Sequence, residues 1–124
     1  MSFHWHIESR TQRVTITADG DFTRADVESY LKAVEASGAV TWSKLFDGRF
    51  SHSAMSQEDM LALGVLFRSY HVRGPVGPLA VVVADAQVDR VNRLLGILAT
   101  ADRPMRVFRE LEPARRWIDQ QPGG

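Results

Sequence analysis

The feature that most constrains this chain is the run Leu79-Ala80-Val81-Val82-Val83-Ala84. It shows no alternation of polar and apolar residues, so neither of its faces is built for water. A valine-rich run of this length reads as a strand covered on both faces, the condition of a central strand in a parallel sheet. Gly74-Pro75-Val76-Gly77-Pro78 breaks the chain before it and Asp85 ends it. Parallel neighbours cannot be joined by a tight turn, so such a strand requires crossovers of a dozen or more residues, usually helical.

The flanking sequence supplies those crossovers. Thr23 reads as a helix N-cap with Asp26 in the third position, Val27, Tyr30, Leu31 and Val34 fall on one face, and Gly38 ends that helix. Trp42 to Asp47 is the next strand. Ser56 caps a second helix with acidic Glu58 and Asp59 in its first turn, and Met60, Leu63, Phe67 and Tyr70 face inward. Asp85 is placed to cap a third helix carrying Val88, Val91, Leu94, Leu95 and Leu98. Met105 to Phe108 forms a last short strand, and Pro113 opens a final helix with Ala114, Trp117 and Ile118. At the other end, His4 to Glu8 and Val14 to Thr17 alternate in character around the polar turn Ser9 to Gln12, which predicts an antiparallel hairpin. The order ββαβαβαβα predicts an α/β fold, a mixed, mainly parallel five-stranded sheet flanked by four helices. It forms a single domain over residues 1–124, with a core of about 3–119 and a tail over 120–124.

Composition narrows the function classes. With 44% hydrophobic and 24% charged residues in 124, the chain can bury a core of its own. Fifteen basic residues balance fifteen acidic ones, so no global attraction to nucleic acid or an anionic membrane is expected. The absence of cysteine excludes disulfides, thiolate nucleophiles and cysteine-ligated metals. Met1 to Arg10 lacks the pattern of a signal peptide, and no apolar run is long enough to span a bilayer, which together predict a cytoplasmic protein without stable membrane insertion.

The element order, with "LFDGR", "GPLAVVVAD" and the closing "RVFRELEPARRWI", resembles the STAS domains of anti-sigma-factor antagonists, especially the SpoIIAA-like group of small bacterial proteins with a STAS or Sec14-like fold. The similarity runs over roughly residues 12 to 119 as a whole-chain pattern. It implies a five-stranded sheet with four helices, no cofactor, and a role in protein–protein regulation or in binding a small apolar ligand. Phosphoswitch members carry Asp-Ser-Ser/Thr-Gly at the start of the second helix, where this chain reads Ser53-Ala54-Met55-Ser56. The resemblance therefore carries the fold and not the phosphorylation motif.

Ligands of open parallel sheets bind beyond the carboxyl ends of the strands, and Asp47 and Asp85 sit at two such ends. Between Asp47 and Ser56 lies a polar stretch, expected to be a loop, with Arg49, Ser51, His52 and Ser53. These seven residues form the candidate binding site. The free N–H groups of the second helix together with Arg49 favour a phosphate or carboxylate. The blander reading of the same residues is an Asp-Gly turn, a helix cap at Ser56 and an Arg49–Asp47 pair. A phosphate on Ser51, Ser53 or Ser56 would add nearly two negative charges at the helix start.

His4 and His6 share one strand face, but without a carboxylate at matching spacing they predict no metal site. Nucleophile-elbow, phosphate-loop and dinucleotide patterns are missing. The arginines at 103, 106, 109, 115 and 116 are interleaved with Glu110, Glu112 and Asp119, a solvated face. The apolar arc of the third helix is wider than a sheet-facing stripe requires, so Leu94 and Leu98, with Leu63 and Phe67 of the second helix, are the candidate interface, and a two-fold homodimer is its symmetric solution. The sequence points to a non-catalytic interaction module for a protein partner or a small apolar or anionic ligand. The alternatives are an enzyme using Asp47, Arg49 and His52 in a cleft at the strand ends, and a lipid-binding protein with its pocket under the second and third helices.

Overall fold

The apolar run forms a strand with a parallel neighbour on each side. In a computed structural model, which describes residues 3–53, 56–98 and 104–121, β4 (Leu79–Val83) lies between β3 (Ser43–Ser53) and β5 (Met105–Phe108). β2 (Arg13–Phe22) pairs parallel to β3 on its other side, and β1 (Phe3–Glu8) pairs antiparallel to β2. The sheet order is β1-β2-β3-β4-β5, mixed and mainly parallel. Four helices accompany it: α1 (Arg24–Ala36), α2 (Gln57–Arg73), α3 (Val88–Leu98) and α4 (Leu111–Asp119).

Because the parallel strands follow one another in a single direction across the sheet, crossovers of one hand place their helices on the same face. The packing agrees. Phe3, Val14, Ile16 and Ala18 of the inner face are buried against Tyr30, Leu31 and Val34 of α1 and Tyr70 of α2, and Val81 and Val83 pack against Val88 at the start of α3. Among the described residues the opposite, outer face is covered by α4, where Ala114 and Ile118 close over Leu45, Ala80 and Val82. Over β1 and β2 the outer face carries His4, His6, Arg13, Thr15 and Thr17, exposed or half-buried.

Local signals explain most element ends. Thr23 and Asp26 form a reciprocal capping box on α1. Gly38 adopts the left-handed conformation, with φ at 69°, that ends the helix. Two expectations are corrected. Asp85 does not cap α3: it opens a 3-10 turn, Asp85–Gln87, whose capping position is Ala84, and its carboxylate pairs with Arg109 instead. The stretch after Asp47, expected as a loop, continues β3 as far as Ser53, paired to Asp19–Phe22 of an equally extended β2 across a bulge. β4 leaves off at Gly48, so this extension is a two-stranded ribbon.

The base of β3 depends on Lys44, which points to the inner face and is only 3% exposed. Its ammonium donates to the carbonyl oxygens of Ala39, Val40 and Trp42 at 3.1, 2.7 and 2.6 Å. These are turn carbonyls outside the sheet ladder: Ala39 O also accepts from the Trp42 N–H, whereas Trp42 O relies on the ammonium, and burial makes an unsatisfied carbonyl costly. The turn is packed from above by Gly77, whose N–H donates to Val40 O at 3.0 Å. Any Cβ at Gly77 would run into the Trp42 carbonyl. Lys44→Met keeps the apolar stem and removes the donor, so Trp42 O loses its lysine partner while Ala39 O and Val40 O keep the backbone N–H groups of Trp42 and Gly77. The expected outcome is a loss of about 2 kcal/mol, read as a lower urea midpoint with an unchanged slope.

Candidate functional site

β3 carries Asp47 up the outer face between Thr17 of β2 and Val82 of β4. The strand then gains its extra residue, since Thr17 pairs with Asp47 but Asp19 pairs with Phe50. A bulge re-aims the side chains next to it. Here it turns Arg49 back onto Asp47: Nε donates to Oδ1 and Nη2 to Oδ2, both at 2.9 Å, and the Arg49 backbone N–H donates to Oδ1 at 3.3 Å. Gly48 is required at the bulge because a Cβ there would collide with the Phe46 ring. The Arg49 guanidinium also lies 5.3 Å from the Phe50 ring centre, and Ser51 Oγ donates to Gly48 O at 2.8 Å.

The Arg49 hydrogen bonds hold the Asp47 carboxyl below its ordinary range, partly offset by burial and reinforced more weakly by the charge of Arg115 on α4. Asp47 in turn raises the Arg49 pKa. The two charges answer each other, so the guanidinium is engaged by a carboxylate of its own chain. A second ion pair, Asp85 with Arg109, sits at the ends of β4 and β5, with both side chains exposed. Asp85 is bonded there and not to the Asp47–Arg49 pair.

The start of α2 is similarly engaged. Ser56 Oγ accepts from the Asp59 N–H at 3.1 Å, and Asp59 Oδ2 accepts from the Ser56 N–H at 3.2 Å. Asp59 also lies 3.6 Å from Arg24 of α1. The helix N-terminus thus already holds a carboxylate, with Glu58 beside it. The side chains of His52, Ser53, Leu94 and Leu98 lie outside what the structure describes; the backbones of His52 and Ser53 run in the β3 extension. Leu63, at 2% exposure, is buried in the chain's own core, and Phe67 packs half-buried against the inner-face cluster.

Two features escaped the sequence. Between α1 and α2 runs a groove of about 510 Å³, lined by Leu31, Lys32, Glu35, Leu66, Tyr70 and Arg73. Arg73 bridges both Glu35 oxygens at 3.2 and 3.4 Å and stacks 4.5 Å above the Tyr70 ring. The Tyr70 hydroxyl bond and Arg73 lower the Glu35 pKa, while burial foremost raises that of Tyr70. The second feature is on the far side of α2, where Leu61, Val65 and Val72 are 56%, 65% and 86% exposed. The signal for that row was present as spacings of four and seven residues, but the inward row through Leu63 and Tyr70 masks it in a helix with apolar residues on two sides.

No protein-family model matches this chain, and no curated protein matches it either. The crystal structure of an uncharacterized protein of the DUF3478 family from Shewanella loihica PV-4, described as having a SpoIIAA-like fold, is similar to it. The TM-score is 0.65 at 18% identity, over 94% of this chain and 93% of that one. The chain has a SpoIIAA-like fold. Within that SpoIIAA-like frame, the start of α2 is taken by the Ser56–Asp59 cap. Among the described residues no group of three or more histidine or acidic side chains gathers as a metal site, and no helix is long and apolar enough to cross a membrane.

The Asp47–Arg49 pair yields a pH prediction with a definite sign. A carboxyl whose pKa is lowered by folding contributes stability above its unfolded value and loses it as pH falls through the folded one. Asp47→Asn therefore flattens the acid limb of the stability profile, read as urea midpoints from about pH 6 to about pH 2. Arg49→Ala raises the Asp47 pKa towards the ordinary carboxylate range, which carboxyl-carbon NMR titration reads directly.

Proposed function

We propose that this SpoIIAA-like domain is a non-catalytic interaction module whose partner is a protein, engaged through the outward face of α2. The observation that carries the reading is the exposed row Leu61, Val65 and Val72 on one side of a regular helix. Apolar side chains scattered singly are ordinary, but a row on one rigid face is the form of helix-mediated recognition. Phe50 on the β3 extension is a further exposed ring, at 68%. The polar candidates support the same reading from the other direction. A carboxylate held ionised by its own arginine is a poor general base near neutral pH, and that arginine is a poor anchor for an added anion.

The test places a photo-crosslinking amino acid at Val65 in the native host, with the same group at Thr17 on the outer sheet face as control. The expected result is one discrete protein adduct from Val65, identified by mass spectrometry and missing from Thr17. Adding Leu61→Asp removes it while the stability read from urea unfolding changes little, by about 0.5 kcal/mol or less, as for other surface substitutions. Identical adduct patterns from Val65 and Thr17 would end this reading.

A further inference from the structure

The exposed row on α2 has a stricter order than its apolar members alone reveal. Glu58, Leu61, Val65, Arg68 and Val72 are separated by three, four, three and four residues, and all are exposed. That alternation is the seam of a two-helix coiled coil, positions that stay on one line when helices supercoil. The charges flank Leu61 and Val65, with Glu58 in the first turn and Arg68 nearly three turns later.

We infer that the occupant of this seam is a second copy of this chain, with the two α2 helices antiparallel about a two-fold axis near residue 63. The inference rests on reading α2 as the partner surface and adds the partner's identity and register. Two-fold symmetry pairs each contact with its mirror, so the face must complement itself. In this register Glu58 faces Arg68 of the second copy, Leu61 faces its Val65, and both contacts recur in reverse. Two apolar layers are then enclosed between two ion pairs. Sliding by one heptad sets Arg68 against Val65 and moves Glu58 away from Arg68, so the polar positions select the register. Ala62 and Ser69, on one flank of the seam, are small enough to allow close approach of the helices. Four layers make a small interface, so the association is reversible and in the micromolar range.

Sedimentation equilibrium of the full chain, with urea midpoints confirming that each variant is folded, tests this. Wild type should be dimeric at about 200 micromolar and dissociate on dilution. Glu58→Arg or Arg68→Glu alone sets like charges together twice in the dimer and should weaken association by about tenfold or more. The double exchange should restore it to within about threefold of wild type. A monomeric wild type at the top concentration, or a double exchange no tighter than the single variants, overturns the self-pairing. In that event a Val65 adduct carrying a different protein still supports the partner reading; loss of every specific Val65 adduct removes both.

Discussion

The ammonium of Lys44, enclosed under the turn that precedes β3, determines where that strand begins. Its three carbonyl acceptors hold residues 39 to 42 in one conformation, and its own backbone N–H donates to Pro78 O at 2.8 Å. The side chain thus fixes the turn while the backbone of the same residue sets β3 against the entry to β4. Registration matters because a slip of one residue would turn Leu45 away from α4 and Phe46 away from the inner core. Everything further along β3, including Asp47, the bulge and the ribbon, inherits its direction from this buried cation.

Much of the architecture was legible because local and global preferences agree. The valine run, the Thr23–Asp26 box and the glycine after α1 each specify a local conformation that the parallel sheet also requires. Legibility failed where one residue type serves two purposes. Asp47-Gly48 carries the composition of a turn, yet Gly48 is needed because the Phe46 ring fills the place of its side chain, and the strand runs on. Asp85 has the character of a cap, but a 3-10 turn intervenes and the carboxylate finds Arg109. Sequence spacing also cannot tell which side of an apolar helix meets the sheet. It identified the Leu63 row of α2 and overlooked the Leu61 row.

The candidate polar site was partly legible. Asp47 and Arg49 do meet, through a bulge that no pattern announced, and Ser56 caps α2 as its spacing suggested. The Arg49–Asp47 pair was one of the readings the sequence offered; what could not be read was that Asp85 and Glu35 are answered within the chain as well, by Arg109 and Arg73. Ion pairs at Asp47–Arg49, Asp85–Arg109 and Glu35–Arg73 leave the rim and the groove electrically balanced. The apolar face of α2 has no such internal answer among the described residues, and this contrast moves attention from the strand ends to a helix.

The N-terminal hairpin combines an edge position with a central role. β1 has β2 as its single strand neighbour, yet its Phe3 lies within 5.5 to 6.2 Å, centre to centre, of the rings of Trp5, Phe22, Tyr30 and Phe46. Edge strands ordinarily fray at little cost. Here peeling away the outermost backbone would uncover five aromatic rings at once, so opening this border of the sheet carries a cost that an ordinary edge strand does not.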